Sequence, residues 1–289
     1  MLKNKFKNTQ HIFLIPTTLI FLAANSIICR AALINLHIDA YSFTFFRLFS
    51  ASIVLLIILF IKEKKIQLSF KNNWSTSFML FLYAITFSYA YIDMQAGIGT
   101  LILFAVVQLT MILLALRKKE TLTLKKLIGL IIAFLGLVYL LYPNEDFTIS
   151  PFHVFLMFLS GIAWAFYSVL GKKSENALKD TSENFIKSIL FLVLFYLLFI
   201  KSVNLSFYGI FLASLSGGLT SGIAYLLWYK VLKNMEIITA SIIQLIVPVI
   251  AIFLSIIFLE EQLSMTLFLG TLLILSGISI SVYKRVKTK

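Results

Sequence analysis

The sequence predicts an all-α integral membrane protein in which ten transmembrane helices form two inverted five-helix repeats. Three observations predict this fold: the composition, an internal repeat and the placement of the basic residues. Of the 289 residues, 60% are hydrophobic, and the mean hydropathy is +0.98. Soluble domains carry only about 45–50% apolar residues, so a water-soluble globule could not bury this excess.

One stretch of the chain occurs twice, because residues 99–142 align with residues 240–283. Each copy has a long apolar run, a short polar break with a glutamate, and a second apolar run with two glycines seven residues apart. This spacing places both glycines on one helix face, where another helix can approach closely in lipid. The matched residues include Glu120 and Glu261, Gly129 and Gly270, and Gly136 and Gly277.

The apolar runs predict ten spans, since a helix needs ~20 apolar residues to cross a bilayer. A polar linker at residues 144–150 divides the chain into a first repeat, residues 1–143, and a second repeat, residues 151–289. The basic start before span 1 resembles a signal peptide, but the run is long and matches span 6, so we expect no cleavage. The predicted spans are 12–33, 40–61, 75–93, 98–116, 124–142, 152–171, 185–200, 207–229, 237–259 and 265–283.

The basic residues lie almost entirely in alternate loops and tails, which hold 22 of the 25 Lys and Arg residues. This bias predicts cytoplasmic N- and C-termini in the cell inner membrane, and it accounts for the net charge of +13 without nucleic acid. Because five spans is an odd number, the halves must have opposite orientations, with the Glu120 loop inside and the Glu261 loop outside. Inverted repeats of this kind build alternating-access transporters.

Arg47 is the sharpest single signal, because it lies inside span 2 at a depth of ~9 Å. A charge at that depth is costly and should face the protein interior or a wet cavity. Two interpretations stay open. Arg47 could contact a substrate carboxylate or phosphate, or it could be a structural brace that bonds helix carbonyls or Asp93 or extends toward the interface.

Polar and aromatic side chains also recur at helical spacing in several spans. They could line a substrate cavity, or they could link helices, since Ser and Thr often bond across membrane helices and buried amides need partners. Pro248 could additionally leave a backbone carbonyl free for a ligand. The candidate substrate-binding residues are Asn25, Arg47, Tyr89, Thr100, Gln108, Trp164, Tyr167, Gly218, Ser221, Tyr225, Gln244 and Pro248.

Acidic residues and histidines are confined to the ends of the predicted spans and to loops, so the sequence favours neither a buried proton relay nor a metal site. Asp93 is the one candidate for titration, although its place at a solvated helix end favours a simpler explanation. Phosphate-binding loops of the GxxxxGK[ST] type are absent, which argues against nucleotide-driven pumping. Cys29 is the only cysteine.

Several of these features resemble the EamA-type branch of the drug/metabolite transporter superfamily. They are Arg30 at the end of span 1, Arg47 to Ala51 in span 2, the two glutamate–glycine units, and the segment PVIAIFLSIIFLEEQLSMTLFLGTLLILSGI that begins at Pro248. The first half departs from the pattern, with Val107 in the place of a proline. The resemblance implies ten helices, transport of small metabolites and a cavity lined mainly by spans 1, 3, 4, 6, 8 and 9, with span 2 beside it.

We therefore expect a secondary carrier that moves a small polar or amphipathic metabolite by alternating access, in efflux or exchange. The expected partners are a small-molecule substrate and the lipid bilayer; a homodimer is left open, and no cofactor is expected. Two alternatives remain: an intramembrane enzyme, which would need convergent acid, base or metal groups at depth, and a membrane subunit that does not transport.

Overall fold

The chain forms helices joined by short turns in the computed structural model, which describes residues 2–119, 123–141, 150–233, 235–262 and 264–282. Glu120, Tyr142 and the predicted linker 144–150, apart from Ser150, lie outside the described residues. The helices are α1 (Leu2–Ile34), α2 (Ala40–Glu63), α3 (Trp74–Ala90), α4 (Ala96–Arg117), α5 (Leu124–Leu141), α6 (Pro151–Gly171), α7 (Ala177–Phe199), α8 (Phe207–Leu232), α9 (Ile237–Leu259) and α10 (Met265–Val282).

Seven of these helices are long and apolar enough to cross a membrane, counting α1 from Phe13. The other three, α3, α5 and α10, have 17, 18 and 18 residues. The helix surfaces carry large apolar side chains such as Leu113, Leu197 and Phe253, each more than 60% exposed. Apolar area of this extent is unfavourable in water and fits a lipid surround.

The start of α7 corrects the sequence-based prediction, which placed span 7 at residues 185–200. The helix begins at Ala177, eight residues earlier, after Asn176 accepts a hydrogen bond from the backbone N–H of Lys179. Its polar first turns looked like a loop, but Glu183 and Lys187 are only 2% and 1% exposed. Lys187 is therefore not a loop residue, and a buried carboxylate exists that the sequence analysis did not anticipate.

Glu183 and Lys187 form a buried ion pair that joins α7 to the loop before α3. The Lys187 Nζ lies 3.3 Å from Glu183 Oε2 and donates to the carbonyl of Asn72 at 2.6 Å. The backbone N–H of Ser69 donates to Glu183 Oε1 at 2.7 Å. Both charges are thus hydrogen-bonded as well as paired, as a buried pair requires.

Replacing Lys187 by Met should destabilise the protein by about 3 kcal/mol, because the Glu183 carboxylate would stay buried without its counter-charge. Thermal unfolding in detergent measures the effect. The double variant Lys187→Met/Glu183→Gln should recover part of the loss, and an exposed control, Lys71→Met, should melt like the wild type. A single variant as stable as the wild type would contradict this account.

The two halves run in opposite directions along one pair of equivalent helices. The Glu261 carboxylate, just after α9, accepts from the backbone N–H groups of Ala96 (2.7 Å) and Gly97 (3.3 Å), which begin α4. The end of α9 therefore lies at the start of α4, its counterpart. Glu261 also supplies the cap that α4 lacks from its own Gln95, at a helix end that favours negative charge.

These contacts define two faces of the molecule, which we call the Glu261 face and the Arg117 face. Arg117 ends α4, ~33 Å from its start, so the turns after Arg117 and after Leu259 lie at opposite ends of the fold. On the Glu261 face, Arg30 donates to the carbonyls of Tyr91 and Ile92, the C-terminal end of α3. This opposition agrees with the predicted inverted repeats.

Helices α5 and α10 pack against each other through the glycines that the repeat predicted. A Cβ on Gly136 would lie 2.9 Å from the backbone nitrogen of Ile274, and one on Gly277 would meet the backbone of Gly129 and Ala133. Each glycine thus admits the partner's backbone at a distance that a side chain would prevent.

The first and second halves differ where the sequence differs. Helix α4 runs unbroken past Val107, whereas α9 is interrupted at Gln244–Leu245. Pro248 has no N–H to donate to the carbonyl of Gln244, four residues before it, so the helical hydrogen bond is missing at this point. That carbonyl is not left free for a ligand, contrary to the prediction, because the N–H of Val247 donates to it at 2.9 Å.

Candidate functional site

Arg47 is fully buried at the centre of the helix bundle and is held by three hydroxyl groups from two other helices. Its Nε donates to Ser221 Oγ at 2.9 Å, and its Nη2 donates to the hydroxyls of Tyr225 (2.6 Å) and Tyr83 (3.3 Å). Its guanidinium carbon also lies 5.0 Å from the ring centroid of Phe87. The structural alternative for Arg47 named helix carbonyls or Asp93 as its partners, and neither is among the partners found here.

Asn25 of α1 extends this network to the middle of α8. Its Oδ1 accepts from Ser216 (2.7 Å), Thr220 (3.3 Å) and Ser221 (3.4 Å), and its Nδ2 lies 3.4 Å from the Tyr83 hydroxyl. Residues Ser216–Ile223 are π-helical, with i→i+5 bonding that widens the helix. The wider turn lets positions i, i+4 and i+5 reach one acceptor. Single π-helical turns recur at functional sites.

Aromatic rings surround the polar network. The ring of Trp164 lies 4.9 Å from that of Tyr83 and 4.7 Å from that of Tyr225, and Phe185 closes the far side of Tyr225 at 5.6 Å. The indole N–H of Trp164 donates to Gln244 Oε1 at 2.7 Å, at the break in α9. Six helices, α1, α2, α3, α6, α8 and α9, therefore contribute hydrogen-bonding side chains around Arg47, and α7 contributes the ring of Phe185. We call Asn25, Arg47, Tyr83, Trp164, Ser216, Thr220, Ser221, Tyr225 and Gln244 the central cluster.

A layer of two rings separates the central cluster from the Glu261 face. Phe87 packs edge-on against Tyr91 with centroids 4.7 Å apart, and the Tyr91 hydroxyl lies 3.0 Å from Thr100 Oγ1. Beyond this layer is a cleft of about 500 Å³ lined by Arg30, Glu261 and their neighbours.

A second layer separates the central cluster from the Arg117 face. The ring centroid of Tyr167 lies 5.0 Å from that of Tyr229 and 6.0 Å from that of Tyr225. Tyr229 in turn lines a small cleft of about 70 Å³ with Asn184 and Asp180. The central cluster is closed toward both faces, each time by a pair of aromatic side chains.

The structure brings together many of the predicted site residues but not all of them. Asn25, Arg47, Ser221, Tyr225, Trp164 and Gln244 belong to the central cluster, and Tyr167 lies beside it. Thr100 lies in the layer toward the Glu261 face, where it also donates to the Ala96 carbonyl. Pro248 and Gln108 are buried, and Gln108 Nε2 has no partner within the described part of the chain.

Two predicted residues lie elsewhere. Gly218 faces Val54 of α2, 3.1 Å from where its Cβ would be, because the π-helical turn shifts the register that an ideal α-helix would give. Tyr89 packs against Phe195 of α7, with the ring centroids 6.3 Å apart. Both are corrections to the predicted site.

Sequence reasoning missed Tyr83, Ser216 and Thr220. The signal for Tyr83 was present, since Tyr83, Phe87 and Tyr91 recur every four residues and so share one helix face. The signal for Ser216 and Thr220 was hidden by the π-helical turn. Trp228 is also buried, and its indole N–H donates to Ser168 Oγ at 3.0 Å. The described residues contain no group of three His, Cys, Asp or Glu placed to hold a metal.

The family model of the EamA-like transporter family matches the chain twice, over residues 10–142 and 151–283. The chain belongs to the EamA-like transporter family. Membership of that family indicates membrane transport and multi-pass insertion in a membrane. Family membership also indicates the partners of a membrane transporter, which are a small-molecule substrate and lipid.

Relatives of this EamA-like transporter occur in bacteria and archaea. It is 38% identical over 259 residues to an uncharacterized protein of Pseudomonas aeruginosa, covering 89% of both chains. An uncharacterized transporter of Bacillus subtilis, YoaV, is 22% identical over 83% of this chain and 86% of its own, and one of Archaeoglobus fulgidus is 27% identical over 71% and 74%. A solved crystal structure shares the fold with a TM-score of 0.69 at 17% identity, over 92% of this chain and 98% of the other.

Proposed function

We propose that this EamA-like transporter is a secondary carrier that moves a small polar or amphipathic metabolite across the inner membrane by alternating access, in efflux or exchange. The observation that carries the proposal is the central cluster, a buried polar network between two clefts on opposite faces. Each aromatic layer is thin, so movement of either pair of rings would connect the cluster to one cleft at a time. The proposed domains are the two repeats, residues 1–143 and 151–289.

The orientation that we propose places the Arg117 face in the cytoplasm, with both termini. It is supported by the basic loops of that face and by the acidic turn Glu260–Glu261 opposite. Single cysteines at Arg117 and at Gln262, in a Cys29→Ala background, would test it with a membrane-impermeant thiol reagent on intact cells. The cysteine at 262 should react and the one at 117 should not; the reverse pattern would invert the orientation.

Flux measured in proteoliposomes tests the function. A thermal-shift screen of amino acids, organic acids, nucleosides and nucleotides on purified protein selects the solutes, and the selected solutes are then followed across the membrane. We expect flux of at least one solute, recovered chemically unchanged by mass spectrometry. Binding without flux, or recovery of an altered solute, would contradict a carrier.

Substituting Ser221 by Leu should reduce this flux at least about tenfold, because Arg47 would lose a charge-assisted hydrogen bond of ~1.5–3 kcal/mol and gain an apolar neighbour. The matched control is Ser214→Leu, on the same helix but half-buried and outside the central cluster. Equal flux in the two variants would remove Ser221 from the transport path.

A further inference from the structure

We infer that the central cluster takes a small organic monoanion, with its carboxylate against Arg47 and an apolar remainder against the surrounding rings. This inference rests on the proposed transport function and names the substrate class for the same site.

The charge of Arg47 is the first reason. The guanidinium is buried, and the groups that it contacts among the described residues are hydroxyls and aromatic rings, with no carboxylate. The buried pair of Glu183 and Lys187 shows how this protein compensates a charge elsewhere. A buried charge is ordinarily paired, so Arg47 has the environment of a cation whose anion arrives from outside.

Unused hydrogen-bond donors are the second reason. Nη1 of Arg47 is buried and has no partner among the described residues. The hydroxyl oxygen of Tyr83 accepts from the Tyr225 hydroxyl at 3.1 Å and from Nη2 of Arg47 at 3.3 Å, which uses both of its lone pairs, so its own proton is left for a further acceptor. Two donors beside one cation suit the two oxygens of a carboxylate.

The count of charges selects a monoanion. Arg47 is the one basic residue in the central cluster as described, since Arg30 lies toward the Glu261 face and Lys187 toward the Arg117 face. A phosphate dianion or a dicarboxylate would bring a second charge without a partner. The ammonium of an amino acid would likewise find no carboxylate, because the cluster contains neither Asp nor Glu.

The aromatic side chains beside Arg47 indicate which apolar groups the bound anion carries. Phe87 lies on one side of the guanidinium, 5.0 Å from its carbon, and Trp164 and Tyr225 lie 4.7 Å apart beside it. Aryl and branched alkyl groups gain most from such surroundings.

Matched acid and amide probes test the inference by thermal shift in detergent. The acids are 3-phenylpropanoate, 4-methylpentanoate and 4-methyl-2-oxopentanoate, and each is compared with its own primary amide, which has nearly the same shape but no charge. For the wild type, the half-saturating concentration of at least one acid should be about tenfold or more below that of its amide, which corresponds to ~1.4 kcal/mol. Phenylalanine and phenyl phosphate should bind more weakly than 3-phenylpropanoate.

Four variants separate charge from folding. Arg47→Met should abolish the preference for acids, Arg47→Lys should keep part of it because the charge remains, and Tyr83→Phe should lower it severalfold. Arg117→Met removes an exposed guanidinium and should bind like the wild type. If Arg47→Met does not fold, Arg47→Lys and Tyr83→Phe still show whether the preference for acids over amides depends on this site.

The outcomes distinguish this inference from the proposed function. Acids that bind no better than their amides in the wild type, or a preference that survives in Arg47→Met, would overturn the inference. Flux of neutral or zwitterionic solutes that is blocked by Ser221→Leu would then leave the transport function standing. Acid preference with no flux of any solute would support the inference and contradict the transport function.

Discussion

Replacing Arg47 by Ala should reduce transport about a hundredfold or more. The variant removes the cation and its donors to Ser221, Tyr83 and Tyr225, and bonds to a charged group are worth ~1.5–3 kcal/mol each. A loss of ~2.7 kcal/mol already corresponds to a hundredfold change. Initial rates in proteoliposomes, at matched protein content, measure the effect.

The transport rate of Arg47→Lys should lie between those of the wild type and of Arg47→Ala. A lysine keeps the charge but lacks the planar guanidinium that bonds three hydroxyls. Arg117→Ala is the control for loss of one positive charge at an exposed position. Gel filtration separates a transport defect from misfolding. Wild-type transport by a folded Arg47→Ala protein would remove Arg47 from the site.

Replacing Gly217 by Ala should destabilise the protein by about 3 kcal/mol, the upper end of the range for overpacking. Any Cβ at Gly217 would overlap the backbone carbonyl of Arg47 and the hydroxyl of Ser50, because α2 and α8 touch there. Backbone cannot yield as a flexible side chain can, so α2 would shift and Arg47 with it. Thermal unfolding and transport should both fall.

The neighbouring glycine is the matched control. At Gly218 a Cβ would meet only Val54 Cγ2, at 3.1 Å, which can move aside. The free energy of unfolding of Gly218→Ala should therefore be within about 0.5 kcal/mol of the wild-type value, as is usual for substitutions away from such close contacts. Its transport rate should equal that of the wild type. Equal loss in the two alanine variants would mean that the close approach of α2 and α8 is not what Gly217 serves.

The sequence predicted the helical membrane fold well because apolar runs and glycine spacing are local features. Gly136 and Gly277 lie in the predicted packing of α5 on α10, and Glu261 marks the turn that opposes Arg117. The start of α7 was missed for the opposite reason. Its charges are neutralised by partners far away in sequence, such as the backbone of Ser69 and Asn72, and no local pattern reveals them.

The candidate site, like the fold, was predicted where its signal is local in the sequence and missed where it is not. Arg47 stood out because a charge in an apolar run is rare, and its burial among three hydroxyls agrees with that signal. The family resemblance placed span 2 beside the cavity, yet the length of the arginine side chain carries its charge into the cluster. Gly218 and Ser216 depend on the π-helical turn, which changes the register of α8 and has no signature in the composition.

Access to Ser221 from each side of the membrane tests the central claim most directly. A single cysteine at Ser221, in the Cys29→Ala background, is exposed to a small membrane-impermeant thiosulfonate in right-side-out and in inside-out vesicles, with a cysteine at the lipid-facing Leu197 as the control. We predict that the cysteine at 221 reacts from both sides and that a transported solute slows both reactions. Reaction from one side alone, or from neither, would contradict a central cluster that opens alternately to the two faces.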